Sequence, residues 1–142
     1  CASAVNYLDP SRPVYSYPRA AAAVAPAAAP SFRVVSFNIA YAIEIDRAIE
    51  VLRETEALRE PDVVALQEMD APGTERIARA LGMNAVYFPS GVHPKHERDF
   101  GCAVLSRWPL EEPRKLVLPH GARVSGPAGA VACTGKVRAM AR

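Results

Sequence analysis

Asn38 and Glu68 are the residues whose type and placement point to chemistry. Each closes a short apolar run, "RVVSFN" for the amide and "DVVALQE" for the carboxylate. Gln67 sets a second amide beside Glu68. A strand that ends in a carboxylate puts the charge where the chain leaves the core, at the edge of a sheet. Open α/β sheets bind ligands at such edges. A single carboxylate with amides near it suits a hard cation such as Mg²⁺, which takes one or two carboxylates and completes its shell with water and substrate phosphate. The plainer alternative is that Glu68 faces solvent and Asn38 caps a turn, as strand-end polar residues often do.

A second polar group lies in "SGVHPKHERD", which reads as a loop. His93, His96 and Asp99 there have the types of metal ligands, but their proline-containing segment is no helix face, and magnesium-type chemistry prefers oxygen. Lys95 and Arg98 are better placed to meet a substrate phosphate, as cations on a loop above a site can clamp one. Trp108 and Tyr87 sit in strand-like contexts and read as core. Of the cysteines, Cys102 and Cys133 lie in apolar surroundings and read as buried thiols, with a bridge between them as the alternative. Cys1, Cys102 and Cys133 match no zinc spacing.

The elements that must position these groups are legible from periodicity. "FRVVSFNIA" alternates and is β-branched and aromatic, which predicts a strand. Ile45, Ala48, Ile49 and Leu52 recur at helical spacing, with charged residues between them, and this helix ends before Pro61. "DVVALQE" is the second strand, and "GTERIARALG" a short helix closed by Gly82. "NAVYFP", "FGCAVLSRWPL", "KLVLP" and "AVACTGKVRAM" follow as strands. The order suits a mixed α/β sheet with helices packed on it. Sequential strands joined by one helix tend to be neighbours, which would bring Asn38 and Glu68 to the same edge.

The 142 residues, half of them apolar and 23% charged, fit one globular domain. A net charge of +2 gives no basic field for a long nucleic acid. Residues 1–30 are rich in alanine and proline and read as a flexible tether, with docking of Tyr7, Tyr15 and Tyr17 as the alternative. A chain beginning at Cys1 followed by small residues resembles a mature bacterial lipoprotein lipidated on that cysteine. The expectation is then an exported protein held at a membrane.

"RVVSFNI", "PDVVALQEMD" and "FGCAVLSRWPL", in this order, resemble the N-terminal half of the endonuclease/exonuclease/phosphatase superfamily, over about residues 32–118. The resemblance implies an α/β (α+β) fold. It would be a partial deoxyribonuclease I-like β-sandwich, one mixed sheet with flanking helices, its C-terminal half missing. It also implies that Glu68 binds a catalytic Mg²⁺ or Mn²⁺ and that Asn38 belongs to the active site. The substrate would be a phosphate ester: nucleic acid, phosphoinositide and sphingomyelin are all cleaved within the superfamily. Relatives usually carry asparagine where Cys102 stands. The family's later histidine, "GDFN"-type and Asp-His motifs are not found in this sequence. Residues 31–142 are therefore expected to be a truncated domain without turnover of its own. The rival expectation is a non-catalytic exported interaction module.

Overall fold

The computed structural model describes residues 7–19, 31–93, 96–117 and 131–137, the last segment, His93 and Val117 as backbone. Five strands form one sheet in the order β1-β4-β5-β3-β2: β1 (Tyr15–Tyr17), β4 (Asn84–His93), β5 (Arg98–Ser106), β3 (Val63–Met69) and β2 (Val34–Asn38). Two helices, α1 (Ile45–Glu54) and α2 (Ala71–Leu81), follow β2 and β3. Strands β6 (Leu110–Val117) and β7 (Val131–Val137) pair as a second, two-stranded sheet.

Helix α1 forms because Ile45, Ala48 and Leu52 fall on one buried stripe. Helix α2 starts where the Asp70 carboxylate accepts a hydrogen bond from the Gly73 amide at 2.7 Å. It ends at Gly82, whose φ of +63° is left-handed and natural only for glycine. Both helices cover one face of the sheet. Val35, Val64, Leu105 and Ala85 lie in register across four strands and join Leu52 and Ile77 in a single core. On the other face Val86 and Phe88 are also buried, and here β6 and β7 approach β4 and β5. This is the beginning of a sandwich, as expected. Tyr87 and Trp108 are buried, as read from their strand settings, and Trp108 stacks on Phe32.

Two expectations change. The tether gives way over residues 7–19 to a docked segment, in which β1 pairs antiparallel with β4. Tyr7 donates to the Asp99 carboxylate at 2.9 Å, and Tyr17 to the Ala71 carbonyl at 3.1 Å. The buried Lys115 ammonium donates to the carbonyls of Tyr7 and Arg12, both at 2.8 Å. Strand pairing with β4, together with the half-buried rings and bonded hydroxyls of Tyr7 and Tyr17, outweighs the proline-rich composition. Residues 20–30, like Cys1, lie outside the described residues. The second change is in the polar "SGVHPKHERD" segment. Strand β4 runs on to His93 and β5 begins at Arg98, so most of the segment is a hairpin with backbone pairing from Gly91–Phe100 to His93–Arg98. Among the described residues, no helix is long and apolar enough to cross a membrane.

Candidate functional site

Strands β2 and β3 run parallel and adjacent, with Asn38 opposite Gln67 at their C-terminal ends. Simple alternation along β3 would send Glu68 into the core behind Val64 and Leu66. A β-bulge prevents this. Leu66 faces Ala103 and Met69 faces Gly101, so Gln67 and Glu68 together oppose the one residue between them. Glu68 adopts a φ of +60°, which turns its carboxylate out to the sheet edge and lets Met69 reach the core. Bulges often re-aim a side chain next to a site in this way. On its other side Gly101 lets β4 approach closely, because a Cβ there would meet the Phe88 carbonyl oxygen at 2.1 Å. Tyr87 secures the bulge from within by donating its hydroxyl to the Met69 carbonyl at 3.1 Å. Burial pushes the Tyr87 phenol far above its ordinary range, so it stays a donor.

Each Glu68 oxygen accepts one hydrogen bond from a neutral group. Asn38 Nδ2 donates to Oε1 and the Tyr41 backbone amide to Oε2, both at 3.1 Å. Asn38 Oδ1 in turn accepts from the Ala40 amide at 2.9 Å. Asn38 thus caps the turn and also holds the carboxylate. Gln67 does not join it: its amide nitrogen lies back along the sheet, on the Ser36 hydroxyl and the Ala65 carbonyl.

Tyr41 is the site residue that sequence reasoning missed. It lies in "IAYAI", which carries no periodic or motif signal. Ala40, Tyr41 and Ala42 have φ values of 46°, 65° and 53°, a left-handed turn built without glycine. Such backbone costs on the order of 1 kcal/mol per residue and persists only where its surroundings hold it. Glu68 holds the Tyr41 amide, and Arg98 Nη2 donates to the Tyr41 carbonyl. The Tyr41 ring lies 5.1 Å from the His96 ring and 5.7 Å from Phe100.

The remaining expected site residues divide. The Arg98 guanidinium, expected on substrate phosphate, is engaged within the protein, on Tyr41 and on the Asp70 carboxylate at 3.3 Å. It braces the turn that carries Tyr41. Lys95 lies outside the described residues. His96 is brought next to the site, whereas Asp99 is held by Tyr7. Among the described residues, no group of three or more His, Cys, Asp or Glu forms a metal cluster, and the His93 side chain of the His93/His96/Asp99 alternative lies outside them. Cys102, expected to be buried, is half-buried because it sits opposite the β3 bulge, and the Cys133 side chain lies outside the described residues.

The donor set fits a hard divalent cation. Glu68 offers a half-buried carboxylate with about four lone-pair sites, two of which are occupied. Among the described residues no arginine, lysine or histidine pairs with it. A carboxylate fixed by neutral donors at a sheet edge lacks a countercharge, and Mg²⁺ accepts such a partial protein shell. A family model described as Endonuclease/Exonuclease/phosphatase family matches residues 35–141. No curated protein and no solved structure matches the chain significantly.

Proposed function

The chain belongs to the endonuclease/exonuclease/phosphatase family, and from that premise we propose that its β2–β3 edge is the metal-binding part of a phosphoester hydrolase. Enzymes of this family generally depend on a divalent metal and act on phosphoesters. Glu68 holds Mg²⁺ or Mn²⁺. When bound, the ion supplies positive charge to a phosphoryl oxygen and its leaving group. Asn38 keeps Glu68 in position through Nδ2, and the left-handed turn at Ala40–Ala42 fixes the carboxylate from the other side. The single observation carrying this reading is that both Glu68 oxygens are held by neutral donors alone.

Among the described residues, Arg98 is engaged on Tyr41 and Asp70, so the charge that meets the substrate is assigned chiefly to the ion. This favours small phosphoesters and lipid headgroups over long nucleic acids, whose affinity depends on many phosphate contacts. Calorimetric titration with Mg²⁺ and Mn²⁺ tests the assignment. The native chain should bind at about millimolar concentration, near the weak end for oxygen sites. Glu68→Gln should lose binding while keeping its circular dichroism. Equal affinity in the variant would remove Glu68 from the metal site.

A further inference from the structure

At the end of β3 away from Glu68, a cleft of about 450 Å³ opens beside the C-terminal ends of α1 and α2. Four arginines from four separate segments line it: Arg19 after β1, Arg53 in the last turn of α1, Arg59 between α1 and β3, and Arg107 after β5. Glu60 is the one acidic residue in the lining. The whole chain carries a net charge of only +2, so this is a local concentration of cations.

Cations near helix C-termini have an ordinary explanation, because the negative end of the helix dipole attracts them. That explanation covers Arg53, whose Nη2 donates to the Ala80 carbonyl. It does not reach the others. The Ala78 and Arg79 carbonyls of α2 already accept from the Met83 and Gly82 amides. Arg107 is held on Asp62 at 3.2 Å, which leaves further N–H groups of its guanidinium to donate. The Arg19 and Arg59 backbones are tied down, through the Arg19 amide to Asn84 and the Arg59 carbonyl to Arg33, but their guanidinium groups have no hydrogen bond or ion pair among the described residues.

The cleft wall is also strained. Glu60 has a φ of 54° although it precedes Pro61, a position that disfavours helical backbone. Arg59, Glu60 and Pro61 line the cleft as three successive residues, which an extended chain would send to alternating sides. Backbone strain collects where structure serves binding.

We propose that this cleft is an anion site, separate from the Glu68 edge, that takes a phosphomonoester or diphosphate group, free or as the headgroup of an anionic lipid. Guanidinium forks match phosphoryl oxygens two at a time, and several converging on one concave surface select multivalent anions over chloride.

The test is calorimetric titration of the chain with inorganic pyrophosphate at fixed ionic strength, beside co-sedimentation with phosphatidic acid and phosphatidylcholine vesicles. One pyrophosphate should bind per chain. Arg19→Gln/Arg59→Gln should weaken it about tenfold or more, as expected for lost charge-assisted hydrogen bonds. Neither side chain supports another group, so the variant should keep its circular dichroism. Glu68→Gln should bind pyrophosphate as the native chain does, which separates this site from the metal edge. Sedimentation with phosphatidic acid alone, lost in the double variant, assigns the lipid source, and pyrophosphate binding without sedimentation assigns a soluble one. No pyrophosphate binding, or equal binding by the double variant, overturns the proposal.

Discussion

Strand β3 is flanked by two acids in opposite situations. Asp62, just before it, is 6% exposed, accepts from the Arg33 amide at 2.7 Å and pairs with Arg107 at 3.2 Å. Glu68, at the far end, is half-buried, and its partners are an amide side chain and a backbone N–H. One carboxylate has its countercharge built in. The other has been positioned and left without one. The backbone repeats the contrast: β3 starts in regular register beside Asp62 and ends in a bulge with Glu68 left-handed. A buried acid that is fully paired serves the fold, whereas an acid held by neutral donors on strained backbone is the one on which the proposed metal site rests.

The largest effect expected from breaking this contrast comes from Gly101→Ala. The new Cβ would strike the Phe88 carbonyl oxygen and the Pro89 Cα, both backbone atoms of the paired strand β4. Urea unfolding should show a loss of about 3 kcal/mol, the upper range for overpacking. A loss within error would mean that the β4–β5 pair opens freely there. Next comes the direct comparison of the two acids. Asp62→Ala leaves the Arg33 amide and Arg107 without their acceptor and should cost about 2 kcal/mol. Glu68→Ala leaves donors that water can reach and should cost less than about 1 kcal/mol. Equal costs would erase the distinction between a structural and a functional acid. The smallest stability effect belongs to Arg98→Gln, because a half-exposed ion pair contributes under about 1 kcal/mol. Its Mn²⁺ affinity should nonetheless fall several-fold as the turn around Tyr41 relaxes. Full affinity would show that Glu68 and Asn38 hold the turn unaided.

Much of this arrangement was legible from periodicity and motif. The cores of β2 and β3, the buried stripe of α1 and the closure of α2 at Gly82 follow from patterns that local physics enforces. The approach of Asn38 to Glu68 follows from two sequential strands joined by one helix. The bulge was not legible, because residues 63–69 read as one apolar run closed by Gln67 and Glu68, and an extra residue shows only against the facing Cys102. Arg98 read as a free cation because its partners, Tyr41 and Asp70, are distant in sequence and one of them is a backbone carbonyl. The strand at Tyr15–Tyr17 was hidden by the surrounding prolines, whose local preference is outweighed by docking on β4.

That short strand has a consequence for how copies of the chain can meet. Strand β1 covers Ala85–Tyr87 of β4, and the Tyr7 amide reaches the Ser90 carbonyl further along. Being three residues long and bracketed by Pro13 and Pro18, β1 offers a poor template for another strand. The opposite margin of the same sheet is β2, five residues without proline. Among the described residues, an added strand therefore finds a longer and more regular template at β2 than at β1.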